Sequence, residues 1–233
     1  MTKLTFIHTV PSLPPTFEAL AHELDPTLEI RHVTDESLLA DAIEAGSVPD
    51  ATEARLEARI RGALDDGADL VVVTCSSMGG ATQAIAAREG WPLERIDVAM
   101  ADRAIELGRR IAVLATLPSA LEPTAALVRA GAAARGTELE LVPRLAEGAF
   151  AALQAGDGER HDELVREAFR SVLGDVDVIV LAQASMGRVI EGLGEEAAGT
   201  PILVSAALGV SRIIEQLRAA GANSDPASTA EVR

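Results

Sequence analysis

Two stretches decide how this chain reads: DLVVVTCSSMG at Asp69–Gly79, and DVIVLAQASMG at Asp177–Gly187. They agree at five of eleven positions across an offset of 108 residues. Each is a continuous apolar run that ends in small polar residues and a glycine. The runs Val71–Val73 and Val178–Leu181 do not alternate with polar residues, so they read as strands buried on both faces of a sheet. Two further pairs recur in the same order. His8–Ser12, HTVPS, corresponds to Ala115–Ser119, ATLPS, at an offset of 107, and Arg103–Glu106, RAIE, corresponds to Arg212–Glu215, RIIE, at an offset of 109. Three ordered matches at near-constant spacing imply a duplicated half.

Outward from these anchors, short β-rich runs alternate with helical patterns. LTFIHT, LEIRHV, ADLVVVTC, RIAVLAT, ELELVPR, DVDVIVLAQ and PILVS each precede a stretch of helical periodicity. One such stretch opens at Thr52-Glu53 and carries Leu56, Ile60 and Leu64 on one stripe before stopping near Gly67. Alternation of this kind predicts βαβ units, and so an α/β fold with parallel sheets covered by helices. With the duplication, it predicts two similar Rossmann-like lobes related by a pseudo-two-fold axis, with a cleft between them. Residues 1–98 plus 206–233 form the first lobe and 99–205 the second. The polar tail from Gly221 to Arg233 is expected to fray.

Composition narrows the function. Among 233 residues, 36 are acidic and 20 basic, a formal charge of −16, which speaks against a nucleic-acid or anionic-membrane partner. No apolar run is long enough for a transmembrane helix, and MTKLTFIHTVPSLPP makes a poor signal peptide. A lone cysteine, Cys75, fits a reducing compartment. These features together predict a cytoplasmic globular protein, and apolar faces on two small lobes are compatible with a homodimer. The histidines are scattered and there is no second cysteine, so no metal site is expected. Nor is there a phosphate-binding glycine pattern, so no cofactor is expected.

In open parallel sheets, ligands bind beyond the carboxyl ends of the strands. The repeated polar clusters fall there: Thr9 and Ser12; Cys75, Ser76 and Ser77; Thr116 and Ser119; Gln183, Ala184 and Ser185. If the lobes face one another, the four clusters line one cleft. Small hydroxyl residues at helix starts suit a carboxylate, because unpaired N–H groups and the helix dipole favour negative charge; equally, they can be plain N-caps. A helix N-terminus is expected to lower the Cys75 thiol below its free pKa of roughly 8.5, which makes a base or nucleophile of it. The alternative is a cysteine that packs as a small apolar residue. His8 is a candidate second acid or base, unless it points into the packing between sheet and helix; His32, beside Asp35 and Glu36, is another. Arg188 can be read as a partner for a second carboxylate and Glu147-Gly148 as an edge of the cleft. His22 and His161 lie in helical patterns and are expected to be exposed.

The duplicated lobes, the strand-end TCSSMG and the two Thr-x-Pro-Ser turns resemble the aspartate/glutamate/hydantoin racemase superfamily, over nearly the whole chain except the tail. The resemblance implies a substrate carboxylate bound between two lobes. In the racemases of that superfamily, a cysteine from each lobe flanks the α-carbon, one removing a proton and the other returning it. Maleate isomerase, in which a cysteine adds to a double bond, and arylmalonate decarboxylase, which keeps one cysteine, also belong to it. Carried over by position, Cys75 matches the first-lobe cysteine and Gln183 stands at the second. Glutamine is neither acid nor base near neutral pH, so the resemblance implies one-sided chemistry, with Gln183 orienting the substrate or stabilising charge. The single-cysteine decarboxylase holds its thiol in the second lobe, whereas this chain holds it in the first. The sequence thus points to a cofactor-independent racemase-, isomerase- or decarboxylase-like enzyme acting on a small carboxylate. A non-catalytic carboxylate-binding protein, and a racemase with a non-thiol second base, are the alternatives.

Overall fold

The computed structural model describes residues 2–183, 186, 187, 189, 192, 193 and 199–223. Its first sheet contains β1 (Lys3–His8), β2 (Glu29–Thr34), β3 (Leu70–Val73) and β4 (Leu93–Arg95), in the order β2-β1-β3-β4. The second contains β5 (Arg110–Ala115), β6 (Glu140–Leu145), β7 (Val178–Leu181) and β8 (Ile202–Val204), in the order β6-β5-β7-β8. All six strand pairings are parallel. The two sheets share one topology, and the duplication read from sequence is a duplication of the fold. Strand β4 is the element that sequence periodicity passes over: three residues, LER, with a central charge.

Helices α1 (Pro14–Leu24), α2 (Glu36–Ala45), α3 (Asp50–Asp65) and α4 (Gly79–Glu89) belong to the first half, and α5 (Val98–Leu107) follows β4. Helices α6 (Pro118–Ala134), α7 (Ala149–Gln154), α8 (Gly158–Arg170) and α9 (Ser205–Asn223) lie in the second half. Alternate strand residues face opposite sides, as the period of two requires. In the first sheet, Leu4, Phe6 and Val72 pack on Phe17 of α1, while Ile7, Val71 and Val73 pack on Leu38, Leu56, Ile60 and Ile85 of α2, α3 and α4. The core is aliphatic, as the scarcity of aromatics demands.

The two halves exchange their last helices. Val210, Ile213 and Ile214 of α9, which follows the second sheet, complete the cluster around Leu4, Phe6 and Phe17 of the first. Met100, Ala104 and Ile105 of α5, which follows the first sheet, pack with Ile111, Val178 and Val180 of the second. At Gly209 a Cβ would come within 2.2 Å of the Ile96 carbonyl oxygen, so only glycine allows α9 this close to the end of β4. The crossing also carries a buried ion pair. Arg95 donates through Nε and Nη2 to the two carboxylate oxygens of Asp97 at 2.6 and 2.8 Å, through Nη1 to Gln83 at 2.9 Å, and to the Pro123 carbonyl of α6 at 3.4 Å. No helix among the described residues is long and apolar enough to cross a membrane.

In each sheet the chain leaves the first strand in one direction, returns, and continues on the other side. The switch points lie between β1 and β3 and between β5 and β7. Connections diverge there, and the carboxyl ends of the strands open onto a crevice. The residues that follow are Thr9 and Thr74-Cys75 in one half, and Thr116 and Ala182-Gln183 in the other.

Candidate active site

A cavity of about 460 Å³ opens between the switch points. Its polar floor carries Thr9, Ser12, Thr74, Cys75, Ser76 and Ser77 from the first half, with Gln183 and Ser205 from the second. Thr116 and Ser119 stand behind this lining and are buried. Ala184, Ser185 and Arg188, named from sequence, lie outside the described residues.

The hydroxyls at these helix starts do not act as N-caps. Helices α4, α1 and α6 have no side-chain cap, whereas Asp35 caps α2 and Asp157 caps α8. The serines instead tie the halves together. Ser76 donates to the Ala182 carbonyl at 2.8 Å, and the Ser77 and Ser119 hydroxyls meet at 3.2 Å. A hydroxyl buried without a partner is costly, so these cross-lobe bonds also hold the floor in register.

Cys75 and Gln183 occupy corresponding turns. The Met78 N–H donates to the Cys75 carbonyl at 3.0 Å, and the Met186 N–H to the Gln183 carbonyl at 3.1 Å. Each side chain is also held by the threonine after the first strand of its own half. Thr116 donates to Gln183 Oε1 through its N–H at 2.6 Å and its hydroxyl at 3.0 Å. A backbone N–H can only donate, so Oε1 must face Thr116, which leaves the amide N–H groups on the side away from that threonine. In the first half the Thr9 hydroxyl, the N–H groups of Met78 and Ser77 and the Ser77 hydroxyl all approach the Cys75 sulfur.

The thiol does not behave as its position at a helix start suggests. Burial of the sulfur pushes its pKa up, and the four hydrogen bonds pull it down without reversing that. The lowering expected from sequence is therefore corrected. The helix start is a 3-10 turn over Ser76–Met78 rather than a full α-helical terminus, and desolvation outweighs its donors. Near neutral pH the resting group is a thiol with its proton in place.

His8 is not brought to the cavity. It is fully buried beneath the floor, where its ring packs near Phe17 and its Nδ1 lies 2.9 Å from the Thr74 hydroxyl. Its Nε2 is 2.9 Å from His32 Nδ1, and the two rings stack. Thr74 donates to the Ile7 carbonyl at 3.2 Å, so His8 must donate from Nδ1 and accept at Nε2 from His32. His32 Nε2 then ends the string, buried and without a partner. Burial first, and the neighbouring His32 second, lower His8 to about 4, so it is neutral near pH 7. Burial also lowers His32, against the pull of Glu18. His161 is buried, not exposed, because it shares the inward stripe of α8 with Val165 and Phe169; His22 is partly buried. The stripe of every fourth residue was a signal available in the sequence.

Residues that sequence inspection passes over complete the cavity. Ser205 stands where β8 ends, a position the strand-end rule could have flagged. Leu39 of α2, Leu117, and Phe150 and Leu153 of α7 form an apolar wall. The segment after β6 does edge the cleft, through Phe150 and Leu153 rather than Glu147-Gly148. Among the described residues no cluster of three or more His, Cys, Asp or Glu could hold a metal ion.

A family model described as Asp/Glu/Hydantoin racemase matches residues 12–213. Comparison with curated protein sequences yields no significant match. Among solved structures, glutamate racemase from Francisella tularensis subsp. tularensis SCHU S4 superposes with a TM-score of 0.71 at 9% identity, covering 94% of this chain and 82% of that one. Allantoin racemase from Klebsiella pneumoniae gives 0.63 at 20% identity, covering 95% and 89%. An arylmalonate decarboxylase gives 0.55 at 19%, covering 91% of each.

Proposed function

The chain belongs to the Asp/Glu/hydantoin racemase family, and on that premise we propose that it moves a proton to or from one face of the carbon beside a small substrate's carboxylate, without a cofactor, using Cys75. The observation that carries this is the matched pair of strand ends, a thiol on one side of the cavity and an amide on the other, each held by its own threonine. Ser12 and the backbone N–H of Ser76 hold the carboxylate on the floor beside Thr9 and Ser77, whose hydroxyls seat the sulfur. The Ser76 hydroxyl stays on the Ala182 carbonyl, and Thr116 and Ser119 support the turns from behind. Gln183 turns two N–H donors toward the negative charge that develops in a planar intermediate.

A thiol that keeps its proton favours delivery over abstraction. Loss of carbon dioxide from a malonate-like acid leaves the electron pair on the α-carbon. That carbon takes the proton from the sulfur, and the thiolate recovers one from water. With a substrate that has an acidic C–H, the thiol must first give its proton to water. The thiolate then takes the hydrogen from one face, exchanges it with solvent and returns a proton to the same face. Configuration is retained, because Gln183 cannot supply a proton from the other. A buried neutral His8 is poorly placed to replace the missing second thiol. The division into residues 1–98 with 206–233, and 99–205, belongs to the same proposal, supported by the packing of α5 and α9.

The test is deuterium incorporation in heavy water, followed by NMR, across small amino acids, hydroxy acids, hydantoins and substituted malonates. Cys75→Ala should keep the fold and lose about 10²- to 10⁴-fold of the rate, the usual share of a general acid or base. An unchanged rate in that variant would sink the reading.

A further inference from the structure

We propose that Ser205 is a further substrate-binding residue, whose hydroxyl donates to the carboxylate-derived oxygen that gains charge as the reacting carbon turns planar. This rests on the proton-transfer reading of the cleft and adds a residue to it. Ser205 follows β8, and the register of Leu181 with Val204 sets it opposite Ala182, one residue short of Gln183. Strand β7 lies between β5 and β8. The side of Gln183 turned from Thr116, where its amide N–H groups remain, is therefore the side of Ser205. The equivalent position in the first half, after β4, is Ile96, which is buried and apolar. The extra hydroxyl thus belongs to the half that carries the amide, not to the half that carries the thiol.

What sets this serine apart is where the floor hydroxyls send their hydrogens. Thr9 gives its hydrogen to the Cys75 sulfur, and Ser76 gives its own to the Ala182 carbonyl. The Ser77 hydroxyl is engaged with Ser119 and the sulfur, and Thr74 donates to the Ile7 carbonyl. All four are committed within the protein. Ser205 lines the same cavity and is only 5% exposed, yet its hydroxyl has no partner among the described residues. The oxygen is not sealed off from solvent, so its open side is the cavity. Buried hydroxyls are ordinarily bonded, and one left open on a preformed cavity is matched to an acceptor on a ligand. Ser205 also heads the 19-residue helix α9, whose dipole favours a negative partner there. Its position is rigid, because β8 is paired with β7 and Gly209 seats α9 against Ile96. A donor fixed in advance beside the Gln183 amide stabilises developing charge without having to move.

The test is equilibrium binding of two probes to the full chain, to Ser205→Ala and to Ser205→Thr. One probe is phenylacetate, whose α-carbon is tetrahedral. The other is the nitronate of phenylnitromethane, a planar anion that spreads its charge over two oxygens as an enediolate does. The full chain is expected to favour the nitronate. Ser205→Ala should lose roughly 10- to 100-fold of the nitronate affinity while phenylacetate stays within about 3-fold. Ser205→Thr keeps the hydroxyl and should restore most of the loss. On a substrate that turns over, Ser205→Ala should lower kcat by a similar factor and leave KM nearly unchanged. If Ser205→Ala does not fold, Ser205→Cys, alike in shape but a weak donor, carries the comparison. Equal loss of both probes, loss of neither, or binding of neither by the full chain overturns the proposal, as does a Ser205→Thr chain as weak as Ser205→Ala. The two readings fail separately. A Ser205-dependent preference for the nitronate, with no Cys75-dependent exchange on any substrate, leaves this proposal standing and removes the proton-transfer one. Cys75-dependent exchange at full kcat in Ser205→Ala does the reverse.

Discussion

The two halves share strand order, switch point, the threonine after the first strand and the Ser-Met-Gly turn, yet the residues that carry charge or reactivity differ between them. Where the first half has Cys75 held by Thr9, the second has Gln183 held by Thr116. Where the first strand ends in His8, its counterpart ends in Ala115; where β4 ends in Arg95, β8 ends in Val204. Duplication supplies two equivalent frames for a carboxylate, but the frame does not dictate the chemistry. The turn and the threonine are common to both, and the reactive group is set by one side chain seated in them. The threonine serves a sulfur in one half and an amide oxygen in the other because its hydroxyl can donate to either, the sulfur being the weaker acceptor.

The largest effects should come from making the two strand ends alike. Under the proton-transfer reading, Gln183→Ala removes donors to developing charge and should slow the Cys75-dependent reaction by roughly 10²-fold. Gln183→Cys supplies a second thiol and should convert exchange with retention into measurable inversion of a pure enantiomer. Chiral chromatography of recovered substrate decides it; absence of inversion, with exchange intact, would mean the second frame does not face the reacting carbon.

Next is the buried pair of the first half, which has no counterpart among the described residues of the second. Arg95 and Asp97 have side chains 3% and 1% exposed. Asp97→Ala leaves a guanidinium buried without its carboxylate and should cost about 3–5 kcal/mol in urea unfolding. A loss under about 1 kcal/mol would show that water reaches the guanidinium once the carboxylate is gone.

His8 gives the halves different responses to acid. Its pKa falls from 6.5 in the unfolded chain to about 4 in the folded one. Below pH 6.5 the unfolded chain therefore takes up a proton that the native state refuses. The stability in question is complete above pH 6.5 and drains away as pH falls toward 4. His8→Ala copies the second half and should flatten the decline of unfolding free energy between pH 7 and 5, on the order of 1–2 kcal/mol. His32, lowered for the same reason, keeps part of the slope. An undiminished slope in His8→Ala would assign the acid sensitivity to other groups.

What was legible in the sequence was whatever the duplication repeated: the strands buried on both faces and the polar residues beyond their ends. What was not legible came from tertiary context. Strand β4 is too short for a period to register and is held by pairing with β3 and by the ion pair at its end. The thiol's position was readable, but the direction of its pKa was not, because desolvation depends on what closes over the sulfur. The apolar wall comes from α2 and α7, helices whose inward faces carry no motif. Leu39 and Leu153 look like ordinary helix residues until the halves are brought together.

The smallest effects test the shared motif itself. Gly79 and Gly187 both follow Ser-Met and both open helical turns, and repetition alone would assign them one purpose. Their surroundings differ. A Cβ on Gly79 would lie 2.3 Å from the Arg95 guanidinium carbon, whereas one on Gly187 would meet Val204 at 3.7 Å, an ordinary contact. The guanidinium cannot retreat without loosening Asp97, Gln83 and the Pro123 carbonyl together. Gly79→Ala should therefore cost about 1–3 kcal/mol by overpacking, and Gly187→Ala should fall within about 0.5 kcal/mol of neutral or gain slightly from a better helix former. Equal costs would mean that the glycine serves the turn in both halves. The unequal result would mean that it serves the turn in neither: in the first half it makes room for Arg95, and in the second it is retained from a shared origin with that room no longer needed.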